Sequence, residues 1–141
     1  MEAIRDNLGF LLAKAMQRWN ELLAERFRES GYPEVRPSYG SLLVPLFEED
    51  GLRMGELAAR ARLSKQTLTT MVRLLERDGL VGRVPDPDDR RATRVYLTER
   101  GRSFHPVAED VLAELDALVR ARLSPTDVDR LKAMLKGVME L

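Results

Sequence analysis

Apolar residues recur along much of this chain at the three- and four-residue spacing of one helix face. The first such stripe, from about residue 3 to residue 28, comprises Ile4, Leu8, Leu11, Leu12, Ala15, Trp19, Leu22, Leu23 and Phe27. A shorter helix opens at Pro37 and Ser38, and Gly51 ends it. The pattern therefore predicts a mainly α-helical protein that begins with one long amphipathic helix.

The stretch between Arg53 and Leu80 predicts two short helices joined by a tight turn. The first covers residues 54–63, and the small side chain of Ala58 allows a second helix to cross it closely. Ser64 is the expected N-cap of the second helix, which Gly79 ends in a left-handed conformation. Its buried face is expected to comprise Leu68, Met71 or Val72, and Leu75.

Short polar side chains occupy the start and the outer face of this second helix. They are Ser64, Lys65, Gln66, Thr69, Thr70 and Arg73. A helix-turn-helix presents such residues when its recognition helix enters the major groove of double-stranded DNA. An ordinary solvated helix face has the same composition, so these residues alone leave the two interpretations equal.

Two β-rich runs, at residues 81–84 and 93–97, predict a hairpin with Val95 and Leu97 on one face. Two prolines stiffen the start of the connecting loop, and Arg90 and Arg91 lie near its tip. An arginine on such a loop is able to enter a narrow minor groove, with Asp89 positioning Arg91. The alternative is a solvated hairpin in which Asp and Arg side chains pair locally.

The charges are distributed unevenly although the formal net charge of the chain is zero. Residues 52–102 contain 12 Lys or Arg and 7 Asp or Glu, whereas the rest of the chain contains 11 and 16. A basic middle between acidic flanks allows one face to displace counterions from phosphates. Chance segregation of charge is the alternative.

The last third predicts two more helices. Thr98 caps one that runs to about Leu123, and Ser124 and Pro125 start another. Their apolar stripes contain Val111, Leu112, Leu115, Leu118 and Val119, then Val128, Leu131, Met134, Leu135, Val138 and Met139. The first and last helices carry more apolar surface than one small domain covers, which favours a homodimer over a monomeric bundle.

In five ordered segments the sequence resembles the multiple-antibiotic-resistance (MarR) family of regulators. These segments are 54–58, 64–69, 75–80, 89–92 and 97–101. The resemblance implies a single domain over residues 1–141, with a winged helix-turn-helix at about 36–98 between dimerisation helices at about 3–29 and 99–141. It also implies a dimeric repressor that reads a palindrome, with recognition by residues 64–73 and with Asp89 bracing Arg91. Pro45 inside the second helix and the lack of cysteine depart from the family, and the latter argues against redox sensing.

In the resembled family, ligands bind in a crevice between the dimer helices and the winged helix. Met16, Trp19, Tyr39 and His105 are the residues of this chain that we expect at such a crevice. The resemblance implies a small aromatic effector that releases the DNA. Core packing explains the four residues equally well.

Other classes of function find little support. The chain has no phosphate-binding loop, no dinucleotide or nucleophile-elbow motif and one histidine, so we expect no enzyme, no cofactor and no metal site. No apolar run approaches the roughly 20 residues that span a bilayer, and no basic stretch leads into an apolar one at the start, so we expect a cytoplasmic protein with no membrane partner. The serious alternative is a winged helix that binds a protein, against which the basic middle and Arg90 and Arg91 argue.

Overall fold

The computed structural model describes residues 1–141, which form seven α-helices and a small antiparallel sheet. The helices are α1 (Glu2–Arg5), α2 (Leu8–Glu29), α3 (Gly40–Glu48), α4 (Met54–Ala61), α5 (Lys65–Arg77), α6 (Glu99–Leu123) and α7 (Pro125–Met139). A 3₁₀ turn at Pro37–Tyr39 leads into α3. The strands are β1 (Leu52–Arg53), β2 (Val81–Pro85) and β3 (Thr93–Leu97), in the order β1-β3-β2. The mainly helical class with a small hairpin is confirmed.

The N-terminal helix is interrupted, whereas the apolar stripe predicted one continuous helix from about residue 3. The chain leaves the helical conformation at Asp6 and restarts at Leu8, with Asn7 extended at φ −69° and ψ 138°. Asn7 Oδ1 accepts a hydrogen bond from the Gly9 amide at 2.9 Å. Asparagine favours the cap over the helix interior, so its side chain overrides the apolar periodicity on either side.

The two central helices match the prediction closely. The Ser64 hydroxyl caps α5 by accepting from the Thr67 amide at 3.1 Å. The buried face of α5 consists of Leu68, Val72 and Leu75. Gly79 has φ 77°, and the Leu80 amide then donates to the Leu75 carbonyl at 2.9 Å, as a left-handed cap requires.

The predicted hairpin forms, and it gains a third strand that the sequence pattern did not reveal. Val81 pairs with Leu97 at its base, and Pro85 pairs with Thr93 near the loop. Leu52 and Arg53 pair with Val95 and Arg94 on the other side of β3. A two-residue strand has no alternation to detect, so this strand was not predicted.

The start of α6 packs directly on the end of the recognition segment. Thr98 caps α6 by accepting from the Gly101 amide at 3.1 Å. A Cβ atom added to Gly101 would lie 2.2 Å from the Leu80 carbonyl oxygen, so only glycine permits this close approach. Ser124 caps α7 in the same way, by accepting from the Asp127 amide at 3.1 Å.

One cluster of buried side chains joins α2, the two central helices, the sheet and α6. By contrast, α7 has one buried residue, Val128, which lies outside this cluster, and α1 has none. Apolar side chains remain exposed on the N-terminal segment and the C-terminal helices, among them Ile4, Leu8, Leu11, Leu118, Leu131, Met134, Leu135 and Val138. None of the helices combines the length and the apolar character that crossing a membrane demands.

Candidate nucleic-acid interface

The outer face of α5 is a continuous row of polar and basic side chains. Gln66, Thr70, Arg73 and Arg77 follow one another at spacings of four, three and four residues, and all are exposed. They therefore lie along one line, opposite the buried face of the helix. Thirteen residues make a helix about 20 Å long, which reaches across a major groove about 12 Å wide.

Two threonines on α5 donate their hydroxyl hydrogens to backbone carbonyls of the same helix. Thr69 Oγ1 donates to the Lys65 carbonyl at 2.8 Å, and Thr70 Oγ1 donates to the Gln66 carbonyl at 3.1 Å. Each oxygen keeps its acceptor capacity, while each methyl group remains apolar. These two side chains therefore present hydrogen-bond acceptors rather than donors.

We call the hairpin of residues 81–97 the wing. The tip of the wing and the recognition helix α5 border the same cleft. The cleft encloses about 490 Å³, and its lining includes Lys65 and Thr69 of α5 together with Arg91 of the wing. Arg90 is exposed beside Arg91. The fold thus brings together basic and polar residues that lie more than twenty positions apart in the sequence.

The wing tip is held by hydrogen bonds from backbone amides to Asp89 rather than by a side-chain ion pair. Asp89 Oδ1 accepts from the Arg91 amide at 3.0 Å, and the Asp89 carbonyl accepts from the Ala92 amide at 2.9 Å. Asp89 therefore contacts Arg91, as the resemblance implied, but through the Arg91 backbone. The Arg91 side chain stays exposed.

Asp86, which the sequence pattern did not reveal, organises the start of the wing loop, directly after β2. This carboxylate is 1% exposed and lies 2.6 Å from Arg53 and 3.1 Å from Arg94. It also accepts from the Asp88 amide at 2.9 Å. That amide, followed by the two guanidinium groups, holds the pKa of Asp86 below its usual range against the opposing effect of burial.

On both sides the recognition helix is tied to neighbouring elements. On the wing side, Glu76 of α5 lies 2.7 Å from Arg83 of β2. On the other side, the hydroxyl of Tyr39 donates to Asp78 Oδ2 at 2.5 Å. Tyr39 is 1% exposed, and burial followed by this hydrogen bond raises its pKa. These contacts fix the orientation of α5 relative to the wing and to α3.

The four residues expected at an effector crevice occupy different environments. Tyr39 is a core residue whose hydroxyl is already bound to Asp78. Met16 is 56% exposed on α2, and Trp19 is half-buried against the core. His105 is half-buried, stacks on Phe47 with 4.2 Å between ring centroids and lies 2.8 Å from Glu109. The crevice stays a prediction.

These features define the class of the protein: a winged helix-turn-helix with an exposed basic and polar recognition face. Comparison with known proteins agrees. The model of the MarR family matches residues 37–93. The organic hydroperoxide resistance transcriptional regulator of Bacillus subtilis is 30% identical over 104 residues, which cover 74% of this chain and 69% of that protein.

Solved structures share the whole fold. A probable transcriptional regulator from Pseudomonas aeruginosa superimposes with a TM-score of 0.82 and 27% identity, over 96% of this chain and 98% of the other. The structure of the transcriptional repressor CouR, bound to a 23-mer DNA duplex, superimposes with a TM-score of 0.81 and 25% identity, over 96% of this chain and 94% of the other. Several other curated relatives are matched over 34% or 66% of their own length.

The chain belongs to the MarR family of transcriptional regulators. Members of this family are DNA-binding regulators rather than enzymes, which agrees with the absence of a catalytic motif from the sequence. The family assignment made from the five sequence segments is confirmed.

Proposed function

We propose that this protein is a transcriptional repressor that binds a palindromic DNA operator as a homodimer. The observation that carries the proposal is the shared cleft of α5 and the wing, which is lined by Lys65, Thr69 and Arg91. A DNA-bound repressor of the same fold, at 25% identity, supports DNA as the partner.

The interface residues divide into two groups by chemistry. Gln66, Thr69 and Thr70 carry uncharged hydrogen-bonding groups suited to base edges in the major groove. Lys65, Arg73 and Arg90 carry exposed positive charges suited to phosphates. Arg91 reaches the minor groove from the wing, while Ser64 caps the helix and Asp89 shapes the wing tip.

The dimer is supported by apolar surface that nothing in one chain covers. In α7, Met134 is 63% exposed and Leu135 is 37% exposed, and on α6 Leu118 is 49% exposed. Exposed apolar patches of this kind mark interaction sites. A two-fold dimer places two recognition helices in successive major grooves, so we infer half-sites about 10 base pairs apart.

Release of the DNA by a small aromatic ligand is the further part of the proposal. The flat stacking of Phe47 on His105 offers an aromatic surface between α3 and α6. A ligand that binds the folded protein raises its melting temperature, so a thermal-shift screen of phenolic and other aromatic acids tests this part separately.

The experiment for DNA binding is a salt titration on sites selected from random duplex DNA. Binding by several phosphate contacts requires that the logarithm of affinity fall linearly with the logarithm of salt concentration, by about 0.9 for each contact. We expect a steep slope on selected sites and a weaker, equally salt-dependent affinity for unrelated DNA. No selected site, or a flat response to salt, would contradict the proposal and favour a protein partner.

A further inference from the structure

We propose that Arg36 is a phosphate anchor that binds the DNA backbone on the side of the recognition helix away from the wing. The proposal rests on the DNA-binding function proposed above and adds a contact to it. The ligand is a phosphate diester of double-stranded DNA. The recognition face described above does not include Arg36, which lies in the loop between α2 and α3.

The position of Arg36 is fixed relative to the end of α5. Arg36 is the N-cap of the 3₁₀ turn, and its carbonyl accepts from the Tyr39 amide at 2.9 Å. Tyr39 in turn donates its hydroxyl to Asp78, the C-cap of α5, at 2.5 Å. The loop that carries Arg36 is therefore tied to the C-terminal end of the recognition helix, and its charge acts on both Tyr39 and Asp78.

Arg36 and the wing flank α5 on opposite sides. Glu76 faces the wing through Arg83, and Asp78 comes two positions later, about 200° further around the helix. A helix with its side chains is about 10–12 Å wide, close to the width of the major groove. When α5 occupies the groove, groups that flank it on both sides therefore meet the two phosphate backbones that border the groove.

The Arg36 side chain is available for such a contact. It is exposed, and it makes no hydrogen bond or ion pair with another side chain. Asp78, to which this loop is tied, already pairs with Arg77 at 3.2 Å and accepts from Tyr39, and Glu34 of the same loop pairs with Arg100. By contrast, Arg83 and Arg100 are paired with Glu76 and Glu34. Phosphate recognition by an unpaired guanidinium breaks no existing interaction.

The test compares Arg36→Ala and Arg36→Lys with the control Arg18→Ala, in the full chain. Arg18 is an exposed arginine on α2, far in sequence from the recognition segment, and its removal changes the net charge equally. Fluorescence anisotropy would measure affinity for the operator selected by the wild-type protein and for unrelated duplex DNA, each over a range of salt concentrations. Thermal melting would confirm that all variants fold.

We expect Arg36→Ala to reduce the salt slope by about 0.9 for each Arg36 in the complex, which corresponds to roughly an eightfold loss of affinity at 0.1 M salt. The loss should be similar on both DNAs, and Arg36→Lys should retain most of the binding. Arg18→Ala should match the wild type. If the wild type binds DNA but Arg36→Ala keeps its slope and affinity, or matches Arg18→Ala, the anchor is wrong. If the wild type itself fails to bind, the proposed function is wrong instead.

Discussion

The carboxylate of Asp86 lies 2.6 Å from the guanidinium of Arg53, and this ion pair joins the start of the wing loop to β1 and the N-cap of α4. The same carboxylate binds Arg94 of β3, whose guanidinium also donates to the Gly51 carbonyl at 2.8 Å. One buried side chain therefore ties the loop, the sheet and the helix-turn-helix together. The distance between wing tip and recognition helix depends on it.

Asp86→Asn should loosen the wing and weaken DNA binding. The variant keeps the shape of the side chain but loses the charge that holds two guanidinium groups. We expect faster amide hydrogen exchange over residues 86–93 and roughly a tenfold loss of affinity, about the contribution of one phosphate contact. The matched control is Asp88→Asn, since Asp88 is exposed and its carboxylate makes no ion pair. Equal binding by the two variants would show that the contact does not position the wing.

The Asp86 contacts should also give a pH dependence to stability. The pKa of Asp86 is lowered in the folded protein, so its contribution is present above the unfolded value of about 3.9 and is lost as the pH falls towards the folded value. The difference in melting temperature between the wild type and Asp86→Asn should therefore be constant near neutral pH and should shrink below about pH 4. A difference that stays constant down to pH 3 would contradict this assignment.

Arg91 and the recognition helix should affect binding in different ways. The minor groove distinguishes bases poorly, so Arg91→Ala should weaken binding to all sequences by similar factors and leave the selected consensus unchanged. Replacing Gln66 or Thr70 by alanine should cost roughly 1–3 kcal/mol and relax the preference at particular positions. The Thr70 hydroxyl donates its hydrogen to the Gln66 carbonyl, so its oxygen is free only to accept. At the position that Thr70 reads, the wild type should therefore prefer a base with an amino donor, adenine or cytosine, and Thr70→Ala should lose this preference.

Selection of binding sites from random DNA by each variant measures these differences. An altered consensus for Arg91→Ala, together with unchanged consensus and affinity for Gln66→Ala and Thr70→Ala, would show that α5 does not read the bases. The Asp89 carboxylate provides a check on the wing, since Asp89→Ala removes the contact to the Arg91 amide without touching α5.

Leu135→Glu should separate the dimer without unfolding the winged helix. Leu135 is 37% exposed in the single chain, so the charge disturbs little of the core, whereas burial of an unpaired carboxylate in a subunit interface costs several kcal/mol. Sedimentation equilibrium should show a monomer, and affinity for the palindrome should fall. Lys136→Glu, a polar position on the same helix, should remain dimeric. A wild type that is itself monomeric would disprove the dimer.

Local signals made much of this fold predictable from sequence. The cap at Ser64, the left-handed Gly79 before Leu80, and the Thr98 cap each depend on side chains within a few residues, and the structure has all three. The break at Asn7 belongs to the same class of signal, and the apolar stripe concealed it. Recognition-helix positions followed from the same local pattern, because the buried face of α5 determines which residues remain outside.

The contacts that position the site could not be predicted in this way. Asp86 meets Arg53 across 33 positions, and Tyr39 meets Asp78 across 39. Such pairs depend on how the sheet and the helices are arranged in three dimensions. The spacing of residues along the chain carries no information about that arrangement. For that reason the sequence pattern does not single out Asp86, and it leaves Tyr39 open between a ligand crevice and the core.

Hydroxyl-radical footprinting of the wild-type protein on its selected operator tests the central proposal most directly. Two recognition helices related by a two-fold axis should protect a palindrome whose half-sites are about 10 base pairs apart, with further protection where the wings reach the minor groove. The footprint should be symmetric about the operator centre. One asymmetric half-site would show that the protein binds as a monomer, and no protection under conditions where it is folded would show that DNA is not its partner.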